Sequence, residues 1–232
     1  MDSTDPTTDL PLAERAYRNL RQAIVRCEFE PGQRLRVDEL SRRYDISSSP
    51  VREALSRLTE QGLVRSFDNR GFRVAPLSAE GIADLTRVRL LVESEALRES
   101  MTRGGDRWES DIVAAAHSLG RVEQRMDGGP LALDNDWSDR HRNFHLALYS
   151  GCQSPLLGQM VVELFDAAER YRRFSALHRA VDRHKHAEHQ QLMERVLARD
   201  IDLALGLFHK HILGTERLVT QALATMRSAA VH

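Results

Sequence analysis

The chain has 232 residues, 29% charged and 41% hydrophobic, with a formal net charge of −1. That composition excludes a disordered or fibrous chain, and no apolar run approaches the roughly 18 residues needed to span a bilayer. The length accommodates two modest domains, and the acidic start MDSTDPTTDLPLAER lacks the basic and apolar regions of a secretory signal, so a cytoplasmic location is expected.

Charge is unevenly divided. Residues 1–12, read as a tail, hold three acids and no base, whereas residues 13–75 hold 13 Arg against 9 acids, a local charge of +4. Positive charge gathered in one segment is the electrostatic footprint that DNA binding requires.

Within that segment, Ala16, Leu20, Ala23, Ile24 and Cys27 fall on one face of a helix predicted over Ala13–Cys27. Glu30-Pro31-Gly32 ends it with a turn. A second helix fits Val37–Tyr44 with Leu40 turned inward, and Asp45-Ile46-Ser47-Ser48 makes a tight connection. Ser49 before Pro50 reads as the start of a third helix reaching Gln61, because Ser can accept from the orphan amides and Pro has no amide to leave unsatisfied.

Val51, Ala54, Leu55 and Leu58 are the buried stripe of the third helix, which leaves Arg52, Glu53, Ser56 and Arg57 outward or sideways. This is the helix-turn-helix plan, with an Arg-bearing front for the major groove and Ser47 and Ser49 available to phosphates. Leu63–Phe67 and Gly71–Val74 alternate with period two around Asp68-Asn69-Arg70-Gly71, a hairpin with Arg70 and Gly71 at its tip.

The stretch Leu20-Arg-x-Ala-Ile24, Pro31-Gly32-x-Arg34-Leu35, Pro50-Val51-Arg52-Glu53-Ala54-Leu55-x-Arg57-Leu58, Gly62-Leu63-Val64 and Gly71-x-x-Val74 resembles the GntR-family winged helix along its whole length. The resemblance implies that Arg52 contacts DNA in or beside the groove and that the wing approaches the minor groove. Many relatives have Ser-Arg-Thr-Pro where this chain has Ser47-Ser48-Ser49-Pro50, so the usual operator sequence does not carry over.

A linker over 76–79 follows, and residues 80–226 read as an all-helical bundle before a tail at 227–232. Helices are predicted at 79–103, 107–127, 133–150, 155–176, 181–199 and 201–226. The expected fold is therefore mainly α: a winged helix-turn-helix plus a helix bundle. Cys27 and Cys152 sit in different domains, outside any ligand spacing, and are read as buried small hydrophobes.

Every histidine lies beyond residue 100. His141 and His145, spaced i, i+4, project from one helical face, a spacing suited to one metal ion, and His189 and His211 lie on two further helices. Spacing alone leaves packing and surface roles open, since His178, His184, His186 and His209 show that histidine is used freely here.

Arg89-x-x-Val92-Glu93, Phe144-His145-x-Ala147-Leu148, Glu188-His189-x-x-Leu192-Met193, Leu197-Ala198-Arg199-Asp200 and His211 resemble the FCD effector domain of FadR-subfamily GntR regulators. The resemblance implies one ion, zinc or nickel, on His145, His189 and His211. The fourth position, commonly Asp, is His141 here, with Asp136 or Asp139 as candidate compensating charges. It also implies a small carboxylate effector beside the metal, clamped by Arg89 or by Arg172 or Arg173. The segments Arg140–His145, Gly151-Cys152 and Glu169–Arg172 resemble members answering to short dicarboxylates, which points to a glutarate-like acid.

The expected protein is a homodimer reading a pseudo-palindromic operator and released from it by ligand. A constitutive dimeric DNA-binding protein without an effector is the alternative. A zinc hydrolase is disfavoured because Arg142 stands where a zincin has the Glu of His-Glu-x-x-His.

Overall fold

The structure, a computed structural model, describes residues 10–67, 71–125, 133–178 and 186–229. It divides into two compact units, Met1–Leu77 and Ser78–His232.

In the first unit the helices are α1 (Leu12–Val25), α2 (Val37–Tyr44) and α3 (Ser48–Glu60), and the strands β1 (Arg34–Leu35), β2 (Val64–Phe67) and β3 (Gly71–Val74). Apolar side chains recurring at helical spacing carry Ala16, Leu20, Ile24, Leu40, Val51, Leu55 and Leu58 into one core, joined by Leu35, Val64 and Val74 from the strands. The sheet order is β1-β3-β2, antiparallel throughout, with Arg34 opposite Arg73 and Val64 opposite Val74. The two-residue β1 was not anticipated, being too short to show alternation.

Two helix ends differ from expectation. α1 stops at Val25, and Cys27 takes a left-handed φ of 57°, which removes it from the buried face it was predicted to share. It is only partly buried, as is Cys152, whose thiol donates to Glu99 at 2.9 Å, so neither cysteine is the sealed hydrophobe expected. α3 begins at Ser48, with Ser47 at the N-cap position but making no side-chain cap bond, so Pro50 lies inside the first turn. Proline is tolerated there because those amides have no intrahelical acceptor.

The second unit contains α4 (Ala79–Arg103), α5 (Asp106–Glu123), α6 (Asn135–Tyr149), α7 (Pro155–Leu177), α8 (His186–Leu197) and α9 (Ile201–Ala229), and no strand among the described residues. The helix expected over 181–199 begins at residues outside those described, as does the end of the one expected over 107–127. Ser78, Asp134 and Ser154 open α4, α6 and α7 by accepting from the amides of Gly81, Trp137 and Leu157. The core runs through Leu97, Trp108, Ile112, Leu119, Phe144, Leu148, Val196 and Phe208.

α4 packs on α9, α7 and α6, while α8 packs on α9 and α5. Between α8 and α9, Arg199 adopts a left-handed φ of 57°. Its guanidinium donates to the carbonyls of Met101 at 2.5 Å and Gly104 at 2.7 Å and to Glu109 at 2.5 Å, and sits 4.7 Å from the Trp108 ring centre. This one side chain ties the α8–α9 turn to the α4–α5 turn. A Cβ on Gly104 would meet the Trp108 ring at 2.4 Å, so the turn is closed to larger residues.

Candidate functional site

α3 buries Val51, Ala54, Leu55 and Leu58 completely and exposes Arg52, Glu53 and Ser56, with Ser47 and Ser49 exposed at its start. Gly71 opens β3 with φ 81°, opposite Phe67, while Arg70 lies outside the described residues. Arg57 departs from expectation. Five residues past Arg52, and so about 140° around the helix, it donates to Glu14 at 3.0 Å and stacks 3.9 Å over the Tyr17 ring. In this structure its side chain leans on α1, on another side of α3 from Arg52.

In the second unit α6, α8 and α9 converge. The i, i+4 spacing aims His141 and His145 along one face of α6, His189 comes from α8 and His211 from α9, all four buried. One nitrogen from each lies within 4.8 Å of the other three. The Nε2 atoms of His141 and His145 are 3.2 Å apart, and Trp137 stacks on His141 at 4.5 Å.

Burial, reinforced by His211, His189, Arg172 and Arg89, holds the His145 imidazole well below its ordinary pKa. The ring is neutral at pH 7, the form that ligates metal. Two carboxylates face the outer nitrogens: Glu188 lies 3.1 Å from His211 Nδ1, and Glu123 lies 3.7 Å from His189 Nδ1 while accepting from Trp137 at 3.1 Å. The Glu188 contact is the kind that orients a histidine ligand, whereas Glu123 stands at ion-pair distance. Four buried imidazoles of close approach, one of them, His211, held by a carboxylate at hydrogen-bonding distance, fit a divalent ion.

Sequence reasoning missed both glutamates. It offered Asp136 and Asp139, which are exposed, Asp136 pairing with Arg140 at 2.9 Å. Glu188 directly precedes His189 in the chain, but it is His211, 23 residues away, that it supports.

Phe165 separates the imidazoles from two buried arginines. Its ring centre is 5.5 Å from His145, 4.2 Å from the Arg172 guanidinium and 5.9 Å from that of Arg89. Arg89 grips Glu93 with bonds of 2.5 and 3.1 Å, and Tyr149 donates to the same carboxylate at 2.9 Å. Burial opposes the charge of Arg89, but Glu93 prevails and its pKa is raised. Burial lowers that of Arg172 despite Glu169 at 2.9 Å. Arg173 shares Glu169 and also reaches Asn135 and Ser138, so it turns towards the start of α6. Phe165 thus lies within 6 Å of the His145 imidazole and of two guanidinium groups, each guanidinium paired with a glutamate.

Residues 12–74 match the family described as bacterial regulatory proteins, gntR family, and residues 84–214 match the FCD domain. The chain belongs to the GntR family of bacterial regulatory proteins. It is 39% identical over 212 residues to the transcriptional repressor GlaR of Escherichia coli, covering 90% of this chain and 96% of that one. To the HTH-type regulator BphR of Paraburkholderia xenovorans it is 37% identical over 210 residues, 90% of this chain and 86% of the other. A GntR-family regulator from Pseudomonas syringae, 29% identical, superposes with a TM-score of 0.58 over 94% of this chain and 89% of that one. McbR/YncC of E. coli, 18% identical, shares the fold with a TM-score of 0.76 over 91% and 98%. The GntR winged helix and FCD bundle make this chain a DNA-binding transcription regulator, and its relatives are regulators, not enzymes. No helix among the described residues is long and apolar enough to cross a membrane.

Proposed function

We propose that this GntR-family regulator is a cytoplasmic homodimeric repressor whose operator affinity falls when a small carboxylate binds at a divalent metal site. The observation that carries the reading is the cluster of four buried histidine nitrogens within 4.8 Å of one another. An all-imidazole set suits zinc or nickel better than magnesium or calcium, which prefer oxygen. When bound, such an ion supplies a Lewis-acid contact for one carboxylate oxygen.

The chain's own residues do the rest. His141, His145, His189 and His211 hold the ion, Glu188 orients His211, Glu123 lies beside His189, and Arg89 and Arg172 attract the anion. Two cationic positions beside a metal suit a second carboxylate on the ligand, and the resemblance of Arg140–His145, Gly151-Cys152 and Glu169–Arg172 to members answering to short dicarboxylates supports an acid of glutarate size. Arg52 reads the major groove, Ser47 and Ser49 bind phosphate, and the wing at Arg70-Gly71 approaches the minor groove. Ligand acts by binding the DNA-free arrangement better than the DNA-bound one.

Thermal unfolding against C3–C6 mono- and dicarboxylates, before and after chelation and with elemental analysis, tests the reading. A matching acid at a hundredfold excess stabilises by about 2.7 kcal/mol in metal-replete protein only. Protein that purifies without metal, takes none up and shifts with no acid overturns it.

A further inference from the structure

α4 carries an exposed stripe that its own fold leaves unexplained. Its inner face, with Ile82, Arg89, Glu93, Ala96 and Leu97, is buried, and the helix packs on α6, α7 and α9. On the outer face stands Leu91, 71% exposed, higher than any other large hydrophobic residue of the described chain. Around it, at steps of three and four residues, are Asp84, Arg87, Glu95 and Arg98, all exposed.

The signs of these charges have a symmetry. Counting from Leu91, four residues back is Arg87 and four forward is Glu95; seven back is Asp84 and seven forward is Arg98. Each pair at equal distance is of opposite sign. In an antiparallel pair of identical helices with a two-fold axis at Leu91, a residue a given number of places before Leu91 meets the one the same number after it. Leu91 then packs on the partner's Leu91, Arg87 faces the partner's Glu95, and Asp84 faces the partner's Arg98. The stripe is complementary to itself, and each charge pair occurs twice.

Within one chain these charges make only exposed pairs of adjacent turns, Arg87 with Asp84 at 2.8 Å and Arg98 with Glu95 at 3.9 Å. Such pairs hold their partners weakly and exchange easily. α9 extends the apolar centre. Ser94 bonds His209 at 2.8 Å, and Arg199, at the start of α9, reaches Met101 near the end of α4, so the helices run antiparallel. Leu213, one turn past His209 and 41% exposed, therefore stands level with Leu90 and Leu91.

We infer that the outer face of α4, centred on Leu91 and flanked by Leu213, is a two-fold docking surface for a second copy of this chain, with Arg87–Glu95 and Asp84–Arg98 pairs setting its register. The inference rests on the dimeric reading above and assigns the face that reading leaves open.

Sedimentation velocity on the full-length protein over a concentration series tests it. Wild type is expected to be dimeric at micromolar concentration. Arg87→Glu and Glu95→Arg each oppose like charges at two places and raise the dimer dissociation constant about tenfold or more, whereas the double variant restores it. Leu91→Asp dissociates the dimer with an unchanged circular dichroism spectrum. A wild-type dimer untouched by the single variants overturns this face and leaves the dimeric reading standing. A double variant no tighter than the singles overturns the Arg87–Glu95 register. A wild type that stays monomeric overturns the inference and the dimeric reading together.

Discussion

Glu188 Oε2 lies 3.1 Å from His211 Nδ1, the carboxylate coming from the first turn of α8 and the imidazole from the middle of α9. The contact fixes which nitrogen of His211 faces inward. Glu188→Gln is expected to weaken metal affinity about 10- to 100-fold while leaving the saturating stoichiometry unchanged. His211→Ala is expected to abolish uptake. Competition against a chromophoric chelator distinguishes the two, and equal affinity in wild type and Glu188→Gln would remove the glutamate from the site.

Arg172 offers the cleaner test of the anion site. Its carboxylate partner, Glu169, is also held by Arg173 at 3.1 Å, so Arg172→Met leaves no orphaned buried charge. Arg89 lacks such a substitute, and breaking its buried pair with Glu93 carries a penalty of about 3–5 kcal/mol. Arg172→Met should keep metal content and operator affinity at wild-type values while losing most of the ligand-induced rise in melting temperature, about 5–11 °C at a hundredfold excess of acid. A full ligand shift in this variant would exclude Arg172 from effector binding.

The two arginines of α3 are expected to separate cleanly. Arg52→Ala should cost about 1–3 kcal/mol of operator affinity and relax base preference, with no change in melting temperature. Arg57→Ala should instead destabilise the winged helix by about 1 kcal/mol, because it loses the Tyr17 stack and the Glu14 pair. Fluorescence anisotropy at fixed salt beside a melting curve reads both. An Arg57→Ala protein with intact stability and weakened DNA binding would return Arg57 to the DNA face.

Arg199 bonds two main-chain carbonyls and Glu109 from one partly buried position. Arg199→Ala should destabilise the helical unit by about 2 kcal/mol, visible by calorimetry as an earlier melting transition. Metal stoichiometry at low temperature should stay as in wild type. A transition at the wild-type temperature would mean the turn holds without it.

The sequence made some of this legible and hid the rest for physical reasons. Helical spacing exposes periodic cores, so α2 and the stripe of α3 were readable residue by residue, and the His141–His145 step showed a shared face. His189 and His211 could be placed on two further helices, but only resemblance joined them to the pair, because convergence of α6, α8 and α9 is a matter of tertiary packing. Glu123 ends α5 like any solvent-facing acid, and nothing local announces that it will meet His189. The tie between Arg57 and Glu14 spans 43 positions and left Arg57 looking like a surface charge. β1 gains its identity only from its partner β3.

α4 has one more consequence. Arg89 and Glu93 point inward from it, while Arg87, Leu91 and Glu95 point outward from the same two turns. On the proposed reading, an anion that drew Arg89 from Glu93 would act on the same two turns of this shaft that carry the outward row. Only residues 75–78 separate that shaft from the last strand of the wing. On that reading, the anion's grip and the outward row share one short length of helix.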